Sequence, residues 1–187
     1  NNAFPVTMYD CSTVTKNTVG LTYNLIDNVS INKKTLLLEN ELKLNFNYIL
    51  QSKYSGEIID ILGDGDLSFL TIESKRNKIQ IKNHSNQITI NIDYEFIPLE
   101  FYQINIKFNK TLGQIAVTIF ILKNTQKKLE FQNIYINQSN INNKINFKNI
   151  YLYGGNFFIG DLFFFIDNNK ILSDYVNPIL NMNKFGK

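Results

Sequence analysis

Leu42, Leu44, Phe46, Tyr48 and Leu50 alternate with Lys43, Asn45, Asn47 and Ile49. A period of two puts one set of side chains on each face of a strand, and here one set is apolar. Ile88, Ile90, Ile92, Tyr94 and Phe96 repeat the pattern against Thr89, Asn91, Asp93 and Glu95, as do Tyr102–Phe108 and Ile115–Ile121. Shorter strands are expected at Phe4–Asp10, at two places within Thr18–Ile31, and at Gly56–Leu62, Leu67–Glu73, Lys78–Lys82, Leu129–Phe131 and Ile134–Ile136. The longest apolar run, FFIGDLFFFI over Phe157–Ile166, follows Ile150–Tyr153 across Gly154-Gly155. Two adjacent glycines between apolar runs predict a hairpin whose central residues take positive φ. That gives about twelve or thirteen strands separated by turns, and no window keeps a helical period over three turns. The pattern predicts an all-β antiparallel sandwich of the jelly-roll kind.

The run Phe157–Ile166 departs from alternation, because it is apolar at odd and even positions alike. Such a strand needs cover on both faces. The cover is expected from the N-terminal segment or the Ser173–Leu180 tail, with a neighbouring domain as the alternative that would make Phe163, Phe164 and Phe165 a protein interface.

Composition narrows the class. At 187 residues, 44% apolar and 13% aromatic, the chain predicts one globular domain spanning 1–187. Abundant Asn and Lys with a single Arg76 make the net charge of +3 a mark of compositional drift, so no nucleic-acid partner is expected. Cys11 stands alone, which excludes an intradomain disulfide, a CxxC pair and a Cys-rich zinc site. No apolar run approaches the roughly 20 residues of a membrane-spanning helix. No signal peptide heads the chain, which is read as an excised piece of something longer.

Several motifs together carry a resemblance. Gly56-Glu57-Ile58-Ile59 opens an aliphatic strand, Asp66-Leu67-Ser68-Phe69-Leu70-Thr71-Ile72 follows a Gly/Asp turn, and Asn77-Lys78-Ile79-Gln80-Ile81 follows the next. Phe101–Ile106 precedes Gln114–Phe120, and the chain continues to Leu152-Tyr153-Gly154-Gly155, Phe158-Ile159-Gly160 and Asp167–Leu172. In order and spacing these pieces, over 42–172, resemble the laminin G-like domains of the concanavalin A-like lectin and glucanase superfamily, with Tyr102 in the place of a family Trp. The resemblance implies a non-catalytic module that binds glycan or protein at rim loops, here Asn83, Ser85 and Asn86 on one loop with Asn143 and Asn146 on the other. It implies an extracellular or cell-surface setting. Calcium-binding members use a carboxylate on such loops; these offer only amides and a hydroxyl, so a weak calcium site or none is expected.

Candidate chemistry is sparse. Superfamily members that cleave glycans carry a run of acids on one strand; the nearest feature is Asp93-Tyr94-Glu95, which lacks a third acid and reads as the solvent side of its strand. Asp60, Asp64 and Asp66 around Gly63–Gly65 are accounted for by turn chemistry. His84 is the sole histidine and reads as an exposed loop residue, and Cys11 as a buried thiol. Lys75, Arg76, Lys78 and Lys82 form a basic patch on one hairpin, read first as a solvated face; the resemblance offers the alternative of a rim that binds sulfated glycans, as in laminin G-like domains. Four Asn-x-Ser/Thr sequons, at Asn28, Asn83, Asn109 and Asn137, do not establish secretion in so Asn-rich a chain. The readings kept open are a glycan- or protein-binding module, a structural domain docked in a larger assembly, and the lectin-like part of a clostridial-type toxin binding region. No enzyme is expected.

Overall fold

A computed structural model describes residues 8–13, 21–24, 36–63, 67–85, 87–136, 144–145, 149–173 and 184–185. Among these, the strands in chain order begin with β1 (Met8–Asp10), β2 (Leu21–Asn24), β3 (Leu36–Leu37), β4 (Glu41–Leu50), β5 (Gly56–Leu62) and β6 (Ser68–Lys75). They continue with β7 (Lys78–Asn83), β8 (Ile88–Asn91), β9 (Tyr102–Asn109), β10 (Gln114–Lys123) and β11 (Gln126–Ile136). The last are β12 (Lys144–Ile145), β13 (Asn149–Leu152), β14 (Phe157–Ile166), β15 (Asn169–Ser173) and β16 (Lys184–Phe185). An eight-stranded sheet has the order β11-β10-β9-β4-β14-β1-β16, with β15 also paired to β14; a six-stranded sheet has the order β2-β13-β5-β6-β7-β8. Every pairing is antiparallel. The alternating residues meet between the sheets in one core, where Leu42, Leu44, Phe46 and Tyr48 of β4 share a cluster with Ile59, Ile61, Leu70, Ile72, Ile79 and Ile81. This is the all-β sandwich that the period-two pattern predicts.

The structure departs from expectation at particular places, each with a physical reason. Gly154-Gly155 is not a hairpin: β13 lies in the six-stranded sheet and β14 in the eight-stranded one, so the glycines carry the chain from one sheet to the other. Neither has positive φ. Gly155 is required by close packing instead, because a Cβ there would strike the Tyr54 ring and come within 2.8 Å of Phe157 Cε2. The strand expected over Ile88–Phe96 ends at Asn91. Past it Ile92 N–H donates to Ile79 O and Tyr94 N–H to Ile92 O, a tight turn that breaks the ladder. Side-chain alternation outlasts the backbone pairing, and Ile92 and Phe96 remain buried. The two short strands expected at Leu129–Phe131 and Ile134–Ile136 are one, β11.

In β14 the register shifts between Gly160 and Phe163 opposite Asn47 and Asn45, a bulge with Asp161 at φ 46°. One extra residue moves the inward parity from Phe157 and Ile159 to Leu162, Phe164 and Ile166. Phe164 is fully buried between the sheets and is therefore no interface residue, contrary to the expectation from the sequence. Phe158, Phe163 and Phe165 take the outer parity. Phe158 sits in a second buried cluster with Met8, Ile49, Phe101 and Leu122, outside the eight-stranded sheet. Met8 is thus one contribution of the N-terminal segment to that face; the tail 174–180 lies outside the described residues.

Candidate binding surfaces

The hairpin of β6 and β7 turns through Arg76 and Asn77, both at positive φ, and throws Lys75, Arg76 and Lys78 to the outside of the six-stranded sheet. Facing them is the segment 91–95, held to β7 by Ile92 N–H to Ile79 O and Phe96 N–H to Asn77 O. Between the two lies an open groove of about 630 Å³ whose charged lining is Lys75, Arg76, Lys78, Asp93 and Glu95, with Gln80 and Asn91 on its floor. Lys78 Nζ lies 2.8 Å from Asp93 Oδ1. That hydrogen bond, reinforced by opposite charge, holds the Asp93 carboxyl below and the Lys78 ammonium above their ordinary ranges. Gln80 Nε2 donates to Asn91 Oδ1 at 2.5 Å. One cation being neutralised, the groove keeps two others, from Lys75 and Arg76, against Glu95. Lys82, the fourth member of the expected patch, is elsewhere: its ammonium pairs with Glu73 at 3.2 Å.

A different polar assembly sits on the same sheet, around Asp60. Asp60 is 5% exposed in the middle of β5, not in the turn that follows it. A buried carboxylate is costly unless several donors meet it. Ser68 Oγ donates to Oδ2 at 2.8 Å, Tyr153 Oη to Oδ2 at 3.0 Å, and Thr71 Oγ1 to Oδ1 at 3.1 Å. His84 Nε2 lies 2.7 Å from Thr71 Oγ1. With its one hydrogen committed to Asp60, that hydroxyl accepts from a protonated Nε2. Burial, then the charges of Asp60 and Glu57, push the Tyr153 phenol up; burial, then Asp60 and Glu73, raise the Glu57 carboxyl. His84 is exposed as expected, but it is also tied into this network. The chain His–Thr–Asp superficially resembles a triad, yet its middle hydroxyl is 3% exposed and bonded on both sides, so it presents no nucleophile.

The rim residues fare unequally. β7 extends to Asn83 and places it on the inward parity of Ile79 and Ile81, 1% exposed. Its Oδ1 accepts from Ser85 N–H at 3.1 Å and Ser85 Oγ at 2.7 Å, and its Nδ2 has no partner. Asn83 is a turn-building residue and not an exposed rim contact, because the loop begins one residue later than the sequence implies. Ser85 is exposed; Asn86, Asn143 and Asn146 lie outside the described residues. Among the described residues no three His, Cys, Asp or Glu side chains group as a metal site, and no helix is long and apolar enough to cross a membrane. Cys11 is buried, and burial, followed by the charge of Asp10, pushes its thiol up. Asp93 and Glu95 line the groove, Asp93 in its ion pair. Asp60 was the signal most open to sequence reading: a carboxylate flanked by Ile58, Ile59, Ile61 and Leu62 announces buried partners.

Compared by sequence, the chain matches no family model and no curated protein. Compared by structure, it is similar to the LG4-5 domains of the mouse laminin α1 chain at a TM-score of 0.64 and 7% identity, over 97% of this chain and 47% of that one. The LG1-3 region of the laminin α2 chain gives 0.59 and 10% identity, over 97% and 33%. The fold is the laminin G-like sandwich. The binding domain of botulinum neurotoxin serotype D/C shares it, with a TM-score of 0.55 and 15% identity over 94% of this chain and 43% of that one. The chain therefore spans between a third and a half of the length of these laminin and neurotoxin structures. At such identities the likeness concerns the fold, whose concanavalin A-like, jelly-roll character the sequence motifs anticipate.

Proposed function

We propose that this laminin G-like domain is a non-catalytic recognition module of a surface or secreted protein, and that it binds an anionic glycan in the groove between the β6–β7 turn and segment 91–95. One observation carries the reading: Lys75 and Arg76 line an open polar groove whose third cation, Lys78, is already neutralised by Asp93. Two cations against the single carboxylate of Glu95, beside the amide side chains of Gln80 and Asn91, suit a ligand with a carboxylate or sulfate beside hydroxyl groups. The reading moves the binding surface away from the amide loop at Asn83.

The test is a glycan array that includes heparan sulfate and sialylated glycans, run with calcium and again with EDTA, on the protein and on Lys75→Glu/Arg76→Glu. The expected outcome is binding to acidic glycans that the double variant loses by at least about tenfold, the effect of 1.4 kcal/mol. Binding that survives the variant, or a blank array in both buffers, overturns the reading. Docking within a larger assembly is the second reading; the partly buried rings of Phe163 and Phe165, on the outer parity of β14, favour it.

A further inference from the structure

We propose that β11 is the contact by which two copies of this chain associate, pairing antiparallel edge to edge about a two-fold axis at Ile134. β11 ends the eight-stranded sheet, and no described strand pairs with its outer edge. Edge strands are ordinarily blunted by shortness, charge, proline or bulges. At 11 residues β11 is long, and its bulge, opposite Ile119 and Phe120, is confined to its first half. The second half, Phe131 to Ile136, reads FQNIYI, without charge, glycine or proline. Ile134 is 58% and Ile136 72% exposed, although strand parity puts both on the outer face, where a sandwich surface is normally polar. The N–H of Ile134 donates to Oδ1 of its own neighbour Asn133 at 2.9 Å, the local bond available to an amide turned away from β10.

The occupant is a second copy because this segment is its own complement. With the axis at Ile134, each Ile134 faces the other, Gln132 faces Ile136, and Asn133 faces Tyr135. Four exposed isoleucines then line one face of the joint, and no two like charges meet. Glu130 and Lys127-Lys128 fall beyond the paired residues. An axis one residue earlier would bring Glu130 opposite Ile136, stranding a carboxylate against an apolar side chain. Edge pairing supplies main-chain hydrogen bonds, and the isoleucines supply apolar burial.

Two measurements on the whole chain test this. In sedimentation velocity the protein should show a concentration-dependent dimer, and Ile134→Lys, which sets two ammonium groups face to face, should weaken self-association at least about tenfold. Ile134 is exposed, so the substitution leaves the core untouched. The register is tested with Ile134→Cys under air with copper–phenanthroline as oxidant, two thiols giving one disulfide as the oxidant takes up two electrons. Directly opposed hydrogen-bonded residues lie about 5.5 Å apart between Cα atoms, within disulfide reach. Cross-linking should therefore run at least about tenfold faster than for Leu67→Cys, an exposed position just before β6 of the other sheet, because pairing raises the effective thiol concentration. Cys11, buried and with its thiol pushed up, stays out of the reaction. A protein that stays monomeric at all concentrations, a Lys variant that associates equally well, or equal cross-linking of the two Cys variants overturns the proposal.

Discussion

The two outer faces of this sandwich hide their buried groups by opposite means. Outside the eight-stranded sheet, Met8, Ile49, Phe101, Leu122 and Phe158 form a small apolar cluster, and further along β14 Phe163 and Phe165 stack with ring centroids 6.4 Å apart. Lys170 and Lys43 lie over those two rings at 5.5 and 5.3 Å. Outside the six-stranded sheet, the buried group is the Asp60 carboxylate, held by three hydroxyl donors. The apolar cluster is non-directional: it needs volume filled and water excluded. The carboxylate is directional: it needs each donor in place, and each donor needs it. The two faces should therefore answer the same kinds of substitution differently.

The largest effect is expected at Phe158. Truncation to Ala removes a ring that is 9% exposed, and should cost about 3 kcal/mol in urea unfolding. Phe158→Leu keeps most of the volume and should cost under about 1.5 kcal/mol. A Leu variant as damaged as the Ala variant would mean that the cluster depends on ring geometry, and the contrast between the faces would blur.

Asp60→Leu is the matching substitution on the other face. It keeps the branching at Cγ, is bulkier and makes the site more apolar, and it leaves the hydroxyls of Ser68, Thr71 and Tyr153 without their acceptor. Buried donors left unmet put the cost at about 2–3 kcal/mol. The variant has a second signature. Burial and, after it, the charge of Asp60 hold the Tyr153 phenol high, so its removal should bring that phenol down toward the ordinary tyrosine range in a spectroscopic titration. A neutral Asp60→Leu would show that water serves the three hydroxyls as well as the carboxylate does.

The contrast also shows what the sequence makes legible. Period two along β4, β9 and β10 encodes the inner face directly, since one parity of side chains meets the opposite sheet. β14 resists the same reading because its bulge changes parity in mid-strand, so inward Phe157 and Phe164 and outward Phe158 and Phe163 fall on both odd and even positions. Gly154-Gly155 misleads for a related reason. Adjacent glycines mark either a tight turn or a tight contact, and only the approach of Tyr54 from a distant strand connection decides between them. The groove is half legible: Lys75, Arg76 and Lys78 cluster in sequence, but the neutralisation of Lys78 depends on Asp93, brought opposite by the turn after β8. The network at Asp60 is legible as a need for partners, though not as to which partners, because Ser68 and Thr71 come from β6 and Tyr153 from the far end of the chain, just past β13.

The smallest expected effect joins both ideas, at a carboxylate bound on the eight-stranded sheet. Asp167 follows β14 at positive φ, and its two oxygens accept the N–H groups of Glu39, Asn40 and Glu41, each at 2.8 Å. These bonds fasten the start of β4 to the β14–β15 turn across more than a hundred residues of sequence. Desolvation alone would raise this carboxyl, but the three N–H donors outweigh it and hold the group below its ordinary range. The native state therefore binds this proton less readily than the unfolded chain. Its contribution is fully present above the ordinary aspartate value of about 3.9 and is lost as pH falls below that toward the native value. Asp167→Asn keeps the shape with a weaker acceptor and one oxygen fewer, and should cost about 1 kcal/mol near pH 7. Urea unfolding of both proteins at pH 7 and at about pH 2.5 checks the sign, because protonation of Asp167 in the wild type should close the gap between them. A gap that stays constant down to the lower pH would mean that the three amides recognise the shape of this side chain and not its charge.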